Sequence, residues 1–171
     1  MSYNILGINP GHNGSACLVS DGELKYYLEE ERLSRMKYDG NPFKSMIDIM
    51  SKYHVDELVI VGTYPDHPTL PWTMEDVYTG LVRKYYPEVK TTILGQEHHL
   101  THASIAFYNS GFKKAVAVIV DGAGTYKDIS MNEEGSVKAK GCETESVWTC
   151  EYPSKFTVLH KVFGDNTQNR M

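Results

Sequence analysis

No apolar run in this sequence approaches the 18 or so residues of a membrane-spanning helix, so no membrane partner is expected. The N-terminus opens directly on strand-like residues, without the charged and then apolar leader of a secretory signal. Cysteine is scarce. Cys17, Cys142 and Cys150 form an odd, widely spaced set, which argues against a disulfide framework and zinc-ribbon spacing and predicts reduced thiols in a cytoplasmic protein. Basic residues are not in excess either: 17 Lys and Arg stand against 22 Asp and Glu, a net charge of −5. That balance lacks the basic footprint of a nucleic-acid binder. The 171 residues, 41% of them apolar, suit one domain or two small lobes with a core.

The chain is organised around Glu97–Thr125. Three of its seven histidines, His98, His99 and His102, fall within five residues there. A helix-forming run follows, Gly111 stops it, and the apolar segment Ala115–Val120 leads straight into Asp121. On a helix, His98 and His102 share one face with Cβ atoms roughly 5–6 Å apart, close enough for two imidazoles to reach one ion. Asp121 ends a strand, and Gly122 and Gly124 permit a sharp turn after it. Two histidines and one carboxylate with open positions are the set expected for non-haem Fe(II) or catalytic Zn. The alternative is a helix start whose histidines are simply exposed. His99 falls off the shared face, either supporting the ligands or facing solvent.

In order, strands are expected at Tyr3–Ile8, Ala16–Val19 and Glu23–Leu28, with a Gly- and Asn-rich loop at 9–15 and an Asp21-Gly22 hairpin turn. Pro42–Tyr53 has helical periodicity, Glu57–Val61 reads as a buried strand, and Thr63–Pro71 as a loop. A helix at Met74–Tyr86 and a strand at Thr91–Leu94 precede the His98 helix. This alternation predicts an α/β fold with a largely parallel central sheet. After residue 114 the opening grammar returns: strand Ala115–Val120, Gly loop Asp121–Thr125, strand Asp128–Asn132, turn Glu134-Gly135, strand Ser136–Lys140. Glu151–Phe163 reads as helical or irregular and Gly164–Met171 as a polar tail. Two such strand-rich starts resemble the plan of the actin-like ATPase (ribonuclease H-like) superfamily, a mixed-sheet lobe whose hairpin loops cradle phosphate. On that plan residues 1–111 form the first lobe, and 112–171 begin a second that is incomplete.

Four motifs carry a closer resemblance: Gly7–Ala16, Glu29–Arg35 with Lys37, His98–Ala103, and Asp121–Gly124. In this order they are similar to the O-carbamoyltransferases of the nodulation and antibiotic-tailoring type, whose catalytic domain is related to the tRNA threonylcarbamoyl-transfer enzymes. The resemblance covers about residues 3–125. It implies carbamoyl transfer from carbamoyl-adenylate to the hydroxyl of a small-molecule acceptor, the adenylate being made from carbamoyl phosphate and ATP in a further domain. It also implies Fe(II) or a similar divalent transition metal on His98, His102 and Asp121. A further family Asp and the adenylate-forming domain have no counterpart here, so a fragment is expected that is inactive alone and associates as a homo-oligomer to cover its half-built lobe.

His12 polarises the carbamoyl group or takes the acceptor proton, or it is a turn histidine. Asn13 beside it, a catalytic candidate, either binds phosphate or carbamoyl oxygens or shapes the hairpin. Gly11, Gly14 and Ser15, with Gly122, Gly124 and Thr125 in the second loop, either bind the nucleotide or carbamoyl oxygens or shape their turns. Glu31 and Arg32 either face the cleft or belong to a solvated charge run. The competing readings are an actin-like ATPase or phosphotransferase using Mg²⁺, which prefers oxygen ligands over histidine, and a non-catalytic nucleotide-binding module.

Overall fold

Alternation of apolar and polar residues shapes the first sheet. In β1 (Asn4–Asn9) the side chains of Asn4, Leu6 and Ile8 are buried, and in β2 (Ser15–Ser20) those of Ala16, Leu18 and Ser20. The two strands pair antiparallel from Asn4↔Ser20 to Asn9↔Ser15. Asp21 and Gly22 both take positive φ, 49° and 83°, the hairpin geometry that keeps the strand twist, and β3 (Glu23–Glu29) returns along β2. The structure, a computed structural model, describes residues 2–61, 74–95, 97–122, 124–130 and 138–165. It contains two units, Met1–Gly95 and Gln96–Met171.

In the first unit, α1 (Glu30–Ser34) and α2 (Phe43–Met50) lead to β4 (Glu57–Val61), and α3 (Met74–Tyr85) leads to β5 (Lys90–Leu94). The strand order is β3-β2-β1-β4-β5. β4 runs parallel to β1, and β5 parallel to β4. The sheet is therefore half antiparallel hairpin and half parallel crossover, mixed rather than largely parallel. Met46 and Ile49 of α2 and Tyr78 and Val82 of α3 join Leu6, Leu18 and Leu58 in its core. Ile47, an apolar residue of α2, is exposed.

The second unit opens with α4 (His98–Ser110), ended by Gly111 at φ 74°, where a residue without Cβ avoids left-handed strain. β6 (Lys114–Val120), β7 (Tyr126–Ser130), β8 (Lys138–Glu151) and β9 (Lys155–Asp165) form a wholly antiparallel sheet. Ala103 and Phe107 of α4 pack on Ile119, Trp148 and Cys150. The lobe boundary expected at 111/112 thus falls inside this unit, because α4 covers its sheet. The opposite side of β6 leaves Val116, Val118 and Val120 exposed.

Two expectations are corrected. β6 pairs with β8 and not with β7, so the second set of strands does not repeat the β1-β2-β3 hairpins. Glu151–Phe163 is not helical or irregular: β9 fills most of it and pairs with β8 from Glu151↔Lys155 to Gly141↔Asp165. The segment Phe156-Thr157-Val158 is β-branched and aromatic, as strands prefer, and the register shift at Val147/Trp148, which leaves Leu159 unpaired, breaks the alternation that would have shown it. β8 also runs well past the Lys140 expected for its end. The Thr63–Pro71 loop, the Glu134-Gly135 turn and the tail after Asp165 lie outside the described residues.

Candidate metal centre

His98 and His102 stand one turn apart at the start of α4, and Asp121 follows the last residue of β6. The i, i+4 spacing brings the rings edge to face with centroids 4.6 Å apart. His98 Nε2 lies 2.8 Å from Asp121 Oδ2 and 3.0 Å from His102 Nε2. His102 Nε2 is 3.6 Å from the same carboxylate oxygen. Among the described residues these three form the one group of metal-type side chains whose donor atoms lie within 4.8 Å of one another.

A single ring nitrogen carries either one N–H or one lone pair. His98 Nε2 therefore meets its two neighbours with at best a shared three-centre hydrogen bond. A cation between the three atoms would engage all three lone pairs. Ligands bound at about 2.1 Å to one ion lie roughly 3–3.5 Å from each other, close to the observed separations, so the residues fit a transition metal. The carboxylate is oriented for it as well. Asp121 Oδ1 accepts from the Gly122 amide at 2.6 Å, which turns Oδ2 to the imidazoles, and the Asp121 amide donates to Thr144 O at 2.8 Å. Partial burial pushes the Asp121 carboxyl up, but the His98 bond, the Gly122 amide and the two imidazole charges outweigh it and hold the group below its usual range.

His99, which the spacing left open, is neither exposed nor a member of this group. It is fully buried, with Nδ1 2.8 Å from Ser146 Oγ. Ser146 Oγ also accepts from Trp148 Nε1 at 2.7 Å. Beside it lies the buried Glu143 carboxylate, 2.8 Å from Lys161 Nζ. Burial lowers the His99 pKa below the usual imidazole value and so favours the neutral ring, against the pull of the Glu143 carboxylate toward the charged form. Glu143, Ser146, Trp148 and Lys161 carried no motif in the sequence. They lie on β8 and β9, where only strand pairing brings them beneath α4.

The glycine loops are used internally. The Gly11 amide donates to Gly40 O at 2.7 Å, Gly14 to Asp39 O at 2.9 Å, and Gly124 to Glu143 O at 2.7 Å. With Gly122 turned to Asp121, the amides of these four glycines are all engaged within the chain. A phosphate at either loop would need other donors. Thr125 is buried, and its hydroxyl accepts the His98 amide at 3.4 Å. Ser15 lies at the start of β2.

In the first unit His12 is exposed and stacks on Tyr38, centroids 5.0 Å apart. Lys37 Nζ lies 4.9 Å from the same ring's centroid. Glu31 holds this turn, accepting from the Tyr38 amide at 3.1 Å and pairing with Lys37 at 3.4 Å. The Tyr38 amide is the main cause that keeps its carboxyl below the usual range. Arg32 is exposed and pairs with Glu29 and Glu31 at 3.3 and 3.6 Å. Asn13 adopts φ 61°, and its Oδ1 is buried with no hydrogen-bond partner among the described residues. The unexpected member of the acidic run is Glu30. It is buried and accepts from the Lys44 amide, the Ser45 amide and the Ser45 hydroxyl at 3.1, 2.8 and 2.9 Å, capping α2.

No family model matches the sequence. An uncharacterized protein of Methanocaldococcus jannaschii is 31% identical over 124 residues, 70% of this chain and 22% of that protein. The nodulation protein NolNO of Sinorhizobium fredii is 29% identical over 138 residues, 67% of this chain and 20% of that protein. An uncharacterized protein of Synechocystis is 26% identical over 196 aligned positions, covering 94% of this chain and 31% of that protein. The chain thus spans about a fifth to a third of the length of these relatives. The similarity to NolNO gives weak support to the nodulation-type resemblance. No described helix is long and apolar enough to cross a membrane.

Proposed function

We propose that this chain is the metal-binding portion of an O-carbamoyltransferase built on an actin-like plan. The observation that carries the reading is the convergence of His98, His102 and Asp121 donor atoms within 4.8 Å, on motifs that resemble that family. Fe(II) or a similar divalent ion held there would supply Lewis-acid polarisation of the carbamoyl oxygen. Asp121, fixed by the amide of Gly122, keeps one oxygen turned to the imidazoles. His12 is the candidate base for an acceptor hydroxyl in carbamoyl transfer, in which the hydroxyl oxygen bonds to the carbamoyl carbon and AMP leaves. Carbamoyl-adenylate formation from ATP and carbamoyl phosphate is assigned to a separate domain, and a small-molecule hydroxyl to the acceptor.

Titration with Fe(II) under anaerobic conditions, or with Co(II), tests the site. One equivalent is expected, with affinity falling at least tenfold in His98→Ala, His102→Ala and Asp121→Asn. Unchanged affinity in all three variants would overturn the assignment. Supplying carbamoyl-adenylate with sugar-like, nucleoside-like and aminoglycoside-like acceptors, and searching for the carbamate ester by mass spectrometry, tests the chemistry.

A further inference from the structure

We infer that His99 is a positioning residue that sets the distance between the His98–His102 pair and Asp121; the inference rests on the metal reading above. Its ring is wedged where the Asp121 loop crosses β8. A Cβ on Gly124 would lie 2.8 Å from His99 Cδ2 and Nε2 and 3.0 Å from Glu143 O, so only glycine lets the loop come down onto the ring. The loop is fixed to β8 by three backbone hydrogen bonds: Asp121 N to Thr144 O at 2.8 Å, Gly124 N to Glu143 O at 2.7 Å and Glu143 N to Thr125 O at 2.9 Å. The ring is fixed to the same strand through Ser146 Oγ. His99 adjoins His98 in the chain, so the contact that seats the ring also seats the first turn of α4, from which both imidazole ligands project.

The chemistry of the residue supports this role over plain filling. An imidazole buried without hydrogen bonds costs free energy that an apolar side chain would not, and Nε2 has no partner among the described residues. What the ring gains over an apolar residue is direction. Its Nδ1 is held at 2.8 Å by a hydroxyl that the Trp148 indole also fixes at 2.7 Å, so ring and helix are locked in rotation as well as in depth. Metal sites need ligands held to within about 0.5 Å, and the groups behind the ligands provide that.

The test uses Gly124→Ala, His99→Leu, His99→Asn and the double variant Gly124→Ala/His99→Asn. Co(II) affinity and the Co(II) visible spectrum are read for each folded protein. Gly124→Ala and His99→Leu are expected to lower affinity at least tenfold and to change the ligand-field bands. The double variant should recover most of both, because Asn is short enough to clear the new Cβ while its amide still reaches Ser146. Wild-type affinity and spectrum in Gly124→Ala and His99→Leu would overturn the inference, as would absence of recovery in the double variant. If the parent protein takes up no Co(II), the metal reading fails by itself. The positioning role is then decided in metal-free protein by the ¹H–¹⁵N imidazole signals of His98. Their displacement in Gly124→Ala and return in the double variant sustains it, and unchanged signals refute it. Should Gly124→Ala not fold, His99→Leu against His99→Asn gives the same contrast.

Discussion

Replacing Glu30 with Ala should cost the first unit about 2–4 kcal/mol. The carboxylate is 2% exposed and accepts three hydrogen bonds, from two amides in the first turn of α2 and from the Ser45 hydroxyl. Pro42 precedes the helix and supplies no side-chain cap. Losing a cap costs about 1 kcal/mol, and hydrogen bonds to a charged acceptor contribute about 1.5–3 kcal/mol. The Ser45 hydroxyl partly compensates because it also reaches Pro42 O at 3.1 Å, which keeps the sum below full additivity. Glu30→Gln, which keeps the shape and one acceptor oxygen, should cost about half as much. Urea unfolding followed by far-UV circular dichroism gives the free energy, and amide hydrogen exchange at residues 44–49 locates it. Exchange should accelerate in α2 before it does in β8. A change below about 0.5 kcal/mol, the scatter of ordinary surface substitutions, with α2 protection unaltered, would show that the three contacts do not cap the helix.

Glu57 should contribute to the acid limb of first-unit stability. Burial pushes its carboxyl up, but Lys90, Thr92 and Tyr3 outweigh it and hold the group below its ordinary 4.5. A depressed folded value means stability fully present above about pH 4.5 and lost as pH falls through the folded value; Glu57→Gln should flatten that limb in pH-dependent urea midpoints, and an unchanged slope would count against the bridge. Phe107→Ala should destabilise the second unit by about 3–5 kcal/mol, read from the fluorescence of Trp148, which shares its core. Val118→Thr should reduce binding of a hydrophobic dye, since Val116, Val118 and Val120 are 61%, 66% and 76% exposed; equal dye binding would show that the stripe is not the surface involved. The 171 residues alone should form no carbamate ester from carbamoyl phosphate and ATP, and turnover lost on His12→Ala would show a complete minimal enzyme.

Where local pattern decides structure, the sequence was legible. β1 and β2, the Asp21-Gly22 turn, β4, α3 and the Gly111 stop follow from alternation, helical period and glycine, and His98 with His102 from spacing. What was not legible depends on partners distant in the chain. β9 carries an extra residue at Leu159 that breaks its alternation. The pairing of β6 with β8 is a choice among edges that no motif marks. His99 looked like the odd histidine because its partner, Ser146, stands 47 residues away. Gly124 looked like a turn glycine, yet its neighbour in space is a ring from α4.

β8 has a consequence in time. The three candidate ligands all precede residue 122 in the chain, while the carbonyls and hydroxyl that orient them belong to residues 143–146. During synthesis the histidines and the aspartate emerge before the strand that anchors them, with only the Gly122 amide on the carboxylate. Closure across that separation carries a loop entropy that the ligands alone do not repay. Metal uptake would then report the docking of β8 rather than the appearance of the ligands. A peptide spanning 96–125, with every ligand present, should bind an ion no better than a flexible His-x-x-x-His segment.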